Sequence, residues 1–166
     1  MPGLEYCISV FSSLPPWLSV FILSMLPIAE LRVSLPLALT VYKMPLWEAY
    51  VVAVAGNIVP AVCILFLLGP VSRFLMQHSS TARKFFDWLF ERTRGRFSKK
   101  YMKYGEWALV LLVAIPLPVT GAWTGSVAAF LFGIPVRRSL PLISLGVAIA
   151  GIIVGMASSG AISFFH

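Results

Sequence analysis

A glutamate and an arginine lie two positions apart inside an otherwise apolar stretch near the start of the chain. Glu30 and Arg32 stand within residues 26–36, between Pro27 and Pro36. A charged side chain at membrane depth costs roughly 2.5–3.5 kcal/mol, so such residues usually face a cavity or one another. Each proline removes a backbone donor and disfavours a helical residue before it. We therefore expect residues 17–39 to form a broken, re-entrant helical hairpin instead of one straight span.

The composition is typical of a membrane protein. Of the 166 residues, 59% are hydrophobic and 11% are charged, and the mean hydropathy is +0.91, whereas an ordinary soluble domain carries about 25% charged residues. A transmembrane helix needs about 20 apolar residues, so the chain has room for a handful of membrane segments in one domain. The predicted fold class is an all-α integral membrane protein.

The net charge of +7 comes mainly from one segment. Nine of the thirteen basic residues lie between Val71 and Tyr104, interleaved with aromatic residues. This mixture is typical of a helix on a headgroup surface, although a cytoplasmic linker held by the positive-inside rule would have the same charge. Because the charge is confined to one loop, we expect an anionic membrane lipid as partner and no nucleic acid.

Two similar halves flank this basic loop. Pro45 and Pro135 are each followed 11 residues later by a glycine, Gly56 and Gly146. Each half has the pattern of a broken hairpin, a short loop with proline and a kinked span, which indicates an internal repeat. The single membrane domain, 1–166, is predicted to contain a first repeat at about 17–69, a basic cytoplasmic loop at 70–104 and a second repeat at about 106–164.

The basic residues predict that the two repeats are inverted. If the basic loop is cytoplasmic, a re-entrant second hairpin returns Arg137 and Arg138 to the cytoplasm, whereas a full crossing would leave both outside. Lys43 is then the only basic residue in an outside loop. If the first hairpin also re-enters, the halves have opposite orientation, as in many secondary transporters. A full crossing of the first hairpin remains the alternative.

Glu30 is the leading candidate for chemistry. Burial in an apolar site favours the protonated form of a carboxyl group, so Glu30 could couple transport to protons; the alternative is a structural ion pair with Arg32. Arg32 could hold a phosphate or carboxylate by bidentate contact, or its side chain could snorkel to the interface. The substrate-binding candidates are Arg32, Glu30, Thr120, Trp123, Thr124 and Asn57, and the hairpin-turn candidates are Pro27, Pro36, Pro116, Pro118, Gly121 and Gly125.

The motifs of enzymes and metal sites are missing from the sequence. His78 and His166 are isolated, and there is no GxSxG, no HExxH and no glycine-rich phosphate loop. We therefore expect no catalytic residue, no metal, no cofactor and no enzymatic activity.

Two segments carry a resemblance to a known family. Residues 27–36, which begin Pro-Ile-Ala-Glu-Leu-Arg, and residues 114–125, which include Pro-Val-Thr-Gly-Ala-Trp-Thr-Gly, resemble the bacterial and archaeal small multidrug export protein family. The basic segment 92–104 extends the resemblance over most of the chain. The family is similar, more distantly, to the DedA membrane proteins, which have paired re-entrant hairpins and are associated with recycling of undecaprenyl phosphate. DedA proteins carry arginines in the second hairpin, whereas residues 115–125 have none.

The resemblance implies a multi-pass transporter of the inner (cytoplasmic) membrane, and three functions are open. The leading expectation is translocation of a polyprenyl-phosphate-type lipid, with Arg32 holding the headgroup and Glu30 coupling protons. The first alternative is proton-coupled export of cationic drugs, in which Glu30 binds the cation. The second is a non-transporting membrane scaffold whose working part is the basic loop. We also expect a homodimer, because one protomer has few spans with which to enclose a path.

Overall fold

The structure, a computed structural model, describes residues 14–88, 91, 106–115 and 121–164, with side chains described as far as Gly160. These residues form helices, turns and bends, with no strand among them. The helices are α1 (Pro16–Met25), α2 (Glu30–Thr40), α3 (Leu46–His78), α4 (Trp107–Ala114), α5 (Ala122–Leu131) and α6 (Val136–Phe164). The predicted all-α class is confirmed over the described ranges.

Helices α3 and α6 are long and apolar enough to cross a membrane. Their most apolar windows have mean hydropathies of 2.6 and 2.3, and only 33% of each window is buried. The core helix of a soluble protein would bury most of such a surface, because apolar area exposed to water is unfavourable. Here large apolar side chains point outward, among them Trp47, Phe66 and Met156. An apolar outer surface of this kind suits contact with lipid.

The first helical segment is broken at Pro27, as the sequence predicts. Helix α1 ends at Met25, Leu26 takes an extended conformation with ψ 136°, and α2 begins at Glu30. A residue before proline avoids the helical region, which explains why the helix stops here. Helices α1 and α2 then pack against each other.

Two residues predicted to form hairpin turns lie inside helices instead. Pro36 is within α2 and Gly125 is within α5. The proline costs α2 one backbone donor, but its own carbonyl accepts a hydrogen bond from Thr40 Oγ1 at 2.8 Å. Hydroxyl side chains and neighbouring helices allow proline inside membrane helices, so Pro36 does not end α2.

Helix α3 also continues through prolines. It contains Pro60 and Pro70 and ends at His78, beyond residue 70, where the basic loop was predicted to begin. Beside Pro70, the carbonyl of Gly69 accepts hydrogen bonds from Ser72 Oγ at 3.0 Å and from Arg73 Nε at 3.3 Å. Residues 80–88 are helical again and expose Arg83 and Lys84.

The chain divides into two compact units, of which the first comprises Met1–Val59 and Ala148–His166. It contains α1, α2, the first part of α3 and the last part of α6. A Cβ on Gly56 of α3 would lie 2.5 Å from the carbonyl oxygen of Phe21 in α1. A Cβ on Gly151 of α6 would lie 2.7 Å from the ring of Tyr50, whose hydroxyl donates to the carbonyl of Ala148 at 3.0 Å. Both glycines therefore allow close helix packing.

The second unit comprises Pro60–Val147. It contains α4, α5 and the other parts of α3 and α6. A Cβ on Gly146 of α6 would lie 3.0 Å from the carbonyl oxygen of Val110 in α4. A Cβ on Gly125 of α5 would lie 2.5 Å from Val113 Cγ2. The glycines again mark the closest helix contacts.

The two units share a pattern at a spacing of 90 residues. The burial classes of residues 51–60 match those of residues 141–150 position for position. Lys43 and Gly133, each close to the start of a long helix, both have positive φ, 49° and 67°. In each unit, therefore, a pair of short helices is joined to a long helix, whose glycine packs against the first helix of the pair.

Candidate functional site

Of the five buried polar residues described in the first unit, one is Ser19 and the other four are what we call the polar cluster: Ser24, Glu30, Ser34 and Asn57. Ser24 and Ser34 are fully buried, and Glu30 and Asn57 expose only 7% and 2% of their surface. The hydroxyls of Ser24 and Ser34 hydrogen-bond across α1 and α2. Glu30 lies four residues before Ser34, so it is on the same face of α2.

Helix α3 approaches this hydroxyl pair at Gly56. A Cβ on Gly56 would lie 2.9 Å from Ser24 Cβ, so only glycine permits the contact. Asn57 follows Gly56 directly on the buried side of α3. Three helices of the first unit thus each contribute polar groups to its interior.

Glu30 is held in an unusual backbone conformation. Its φ is 45° at the first position of α2, and its N–H donates to the carbonyl of Leu26 at 2.9 Å. Left-handed geometry costs a residue with a side chain about 1–2 kcal/mol. Strain of this kind is concentrated at functional sites, where the surrounding structure holds it in place. Glu30 therefore combines a buried acid with a strained backbone.

Arg32 is less buried than Glu30. It is half-buried on α2 and interacts electrostatically with Glu30. Side chains two residues apart do not face each other on a regular helix. The left-handed backbone of Glu30 and the break before it make the chain irregular at this point. An irregular backbone is what the pairing of Glu30 with Arg32 needs.

The second unit packs in the same way without these polar groups. Val113 of α4 contacts Gly125 of α5 and also Gly146 of α6, where a Cβ would lie 2.7 Å from Val113 Cβ. Ser24 makes the equivalent contacts in the first unit. By its contacts, Val113 takes the place of Ser24 and Gly125 that of Ser34, and Val147 follows Gly146 as Asn57 follows Gly56. This packing therefore does not require polar residues. Because burying polar groups costs free energy, their presence in the first unit points to a function.

The remaining predicted site residues have other surroundings. The Thr124 hydroxyl accepts a hydrogen bond from the N–H of Gly121 at 2.8 Å, at the start of α5. Gly121 directly precedes α5, and Trp123 is half-buried in its first turn. Thr124 thus has a capping role. Thr120, Pro116 and Pro118 lie outside the described residues.

Ser24 and Ser34 are functional candidates that the sequence interpretation missed. A single serine in an apolar helix is ordinary, because it can bond to its own backbone. The spacing of four residues between Glu30 and Ser34 was the one signal for Ser34. Nothing in the sequence places Ser24 against Ser34, because that contact depends on how α1 meets α2.

Asn57 has a side-chain oxygen that lacks a hydrogen-bond donor among the described residues. This atom, Oδ1, is buried. Pro60 offers no N–H to the carbonyl of Gly56, four residues earlier on α3. An unsatisfied buried acceptor costs about 1–3 kcal/mol, and native structures contain few of them. This turn of α3 therefore has more acceptors than donors.

An apolar groove of about 540 Å³ lies on the first unit. No charged residue lines it, and the Tyr50 hydroxyl is already bonded to Ala148. Within the described ranges, no group of three or more His, Cys, Asp or Glu side chains could hold a metal ion. The polar cluster is therefore the candidate site for a charged ligand.

Comparison with known proteins gives one match. A family model described as "Putative small multi-drug export protein" matches residues 30–153. The match begins at Glu30 and also includes Ser34 and Asn57 of the polar cluster. No curated protein and no solved structure matches the chain.

Proposed function

Because the chain belongs to the small multi-drug export protein family, we propose that it is a proton-coupled membrane exporter of amphiphilic cations. The observation that carries the proposal is the buried and strained Glu30, which exposes 7% of its surface and has φ 45°. A carboxylate in an apolar interior is stable only with a counter-charge or a proton. A proton and a cationic substrate therefore compete for Glu30, and this competition couples their movements.

The other members of the polar cluster support binding at this position. Ser34, whose hydroxyl pairs with that of Ser24 on α1, lies one helical turn after Glu30 on α2. Polar groups inside a membrane protein usually mark the path of a substrate or ion. The apolar residues at the corresponding positions of the second unit support a functional reason for the polar ones.

We also propose that the two units are inverted repeats with re-entrant hairpins, in a multi-pass protein of the inner membrane. The shared burial pattern of residues 51–60 and 141–150 supports the repeat. Helices α1, α2 and α5 are too short, at 10, 11 and 10 residues, to cross alone, since a span needs about 20. One long helix in each repeat then gives the two repeats opposite orientation.

Translocation of a lipid phosphate is the second candidate function, and Arg32 favours it. An arginine can hold a phosphate by two parallel hydrogen bonds, and Arg32 is half-buried near the break at Pro27. The more buried charge of the pair is the acid, however, which favours a cation in the interior. The two functions therefore differ in the sign of the substrate.

We also propose that the protein is a homodimer and that anionic lipid binds at residues 80–88. In this helical segment Phe85 and Trp88 expose 53% and 52% of their surface. Arg83 and Lys84 are exposed on the same segment, and aromatic and basic residues mixed in this way suit a helix at a headgroup surface. Native mass spectrometry from mild detergent should give a dimer mass with anionic lipid, and the double change Arg83→Ala and Lys84→Ala should remove the lipid. A monomer that carries no lipid would contradict both proposals.

The proposed function is tested by ligand binding to purified protein in detergent. A lipophilic protonated amine and undecaprenyl phosphate are each titrated onto wild type, Glu30→Gln and Arg32→Ala, with Glu48→Gln as the matched control for loss of an acid. We expect cation binding that is lost only in Glu30→Gln. If no cation binds, and lipid binding is lost in Arg32→Ala, the second candidate is favoured. Binding of neither ligand would favour a membrane scaffold.

A further inference from the structure

The polar cluster has an acceptor for which the described part of the chain supplies no donor. Asn57 Oδ1 is buried without a partner among the described residues, and Asn57 as a whole exposes 2% of its surface. Next to it, the carbonyl of Gly56 receives no N–H from Pro60. A ligand with a donor group would satisfy Asn57, and a ligand without one would not.

We propose that Asn57 accepts a hydrogen bond from the ammonium N–H of the substrate, so that the site prefers protonated amines to quaternary ammonium ions. This inference rests on the proposed function, in which Glu30 supplies the negative charge. A protonated amine carries at least one N–H, whereas a quaternary ammonium ion carries none. Hydrogen bonds from charged donors are roughly twice as strong as neutral ones, and leaving a buried acceptor unpaired is costly.

Packing does not explain why residue 57 is an asparagine. In the second unit Val147 follows Gly146 as Asn57 follows Gly56, in the same pattern of burial. An apolar side chain thus fits the corresponding position. Replacing a buried unpaired polar group by an apolar one of similar shape is close to neutral or stabilising. We therefore expect Asn57→Leu and Asn57→Val to fold.

The test compares a tertiary amine with its N-methylated quaternary derivative in proteoliposomes that contain the full chain. The two cations have nearly the same shape and charge and differ in the single N–H. Wild type should export the amine with an efficiency on the order of tenfold higher, as expected for about 1.4 kcal/mol from one hydrogen bond. In both Asn57 variants the ratio should fall to near one through loss of amine export, with an unchanged unfolding temperature.

Each other result counts against the inference. Equal export of the two cations by wild type, or a preference kept in both variants, would overturn it, because a bound water would then satisfy Asn57. Equal loss of both substrates, or a lower unfolding temperature in both variants, would assign Asn57 a general structural role. Export of neither cation by wild type would remove the proposed function itself, which distinguishes that failure from the failure of the inference.

Discussion

Glu30 has both a charge and a backbone conformation that oppose folding. Its φ of 45° and its burial should each lower stability. We predict that Glu30→Gly raises the stability of the protein by about 1 kcal/mol or more, because glycine adopts this conformation without strain. The same variant should lose export. Thermal unfolding in detergent and export from proteoliposomes measure the two effects.

Lys43 offers a matched control for the backbone effect. It has φ 49°, is exposed, and corresponds to Gly133 in the second unit. Lys43→Gly should also stabilise the protein but should leave export unchanged. If Glu30→Gly lowers the unfolding temperature while Lys43→Gly raises it, then Glu30 is a structural ion-pair residue and the functional interpretation is wrong.

The sequence identifies Glu30 more readily than the residues around it. A carboxylate in an apolar run is rare enough to single out by itself. Ser24 and Ser34 become candidates only when α1 and α2 meet, because their contact joins residues on separate helices. The contact of the Thr124 hydroxyl with the N–H of Gly121 at 2.8 Å is likewise not evident from the sequence, and its binding of substrate stays a prediction.

Two glycines fix how the long helices meet the short ones. A Cβ on Gly56 would lie 2.5 Å from the carbonyl oxygen of Phe21, and a Cβ on Gly146 would lie 3.0 Å from that of Val110. Backbone atoms cannot move aside easily, so Gly56→Ala and Gly146→Ala should each destabilise the protein by about 1–3 kcal/mol. Unfolding of the purified variants in detergent measures this loss.

Gly160 is the control for these substitutions. It is helical, and a Cβ there would meet nothing within 4 Å. Because alanine is the better helix former by up to about 1 kcal/mol, Gly160→Ala should be neutral or stabilising. Equal effects of all three substitutions would show that helix propensity, and not the close contact, determines stability at Gly56 and Gly146.

The prolines show where prediction of helices succeeds and where it fails. Pro27 ends a helix, and the extended residue before it is what the chemistry of proline predicts. Pro36 lies inside α2, and Pro60 and Pro70 lie inside α3. The difference depends on whether neighbouring groups and helix packing compensate for the lost hydrogen bond, and this is not visible in the local sequence.

The proposed inversion of the two units leads to a prediction about membrane topology. Met44 and Ile134 occupy corresponding positions, 90 residues apart, shortly before α3 and α6. If the repeats are inverted, a cysteine at one position should be outside the cell and a cysteine at the other inside. With Cys7 and Cys63 replaced by serine, we expect a membrane-impermeant maleimide to label Met44→Cys in intact cells and to label Ile134→Cys only after permeabilisation. Labelling of both in intact cells would rule out inversion.

The proposed repeat is only partly predictable from the sequence. Pro45, Pro135, Gly56 and Gly146 indicate it, because proline suits the start of a helix and a close backbone contact favours glycine. Residues 51–60 and 141–150 keep the pattern of burial but change most of the residues, since many apolar side chains can fill an equivalent place. The difference at the matched contacts, Ser24 and Ser34 in the first unit and Val113 and Gly125 in the second, is visible only once the contacts of the units are compared.

In the proposed mechanism Glu30 binds either a proton or a cationic substrate. The most direct measurement is proton movement in proteoliposomes that hold a pH gradient, followed with a pH-sensitive dye after a lipophilic cation is added. Wild type and Glu48→Gln should dissipate the gradient in proportion to the cation, and Glu30→Gln should leave it at the level of protein-free liposomes. Equal dissipation by wild type and Glu30→Gln would contradict the account.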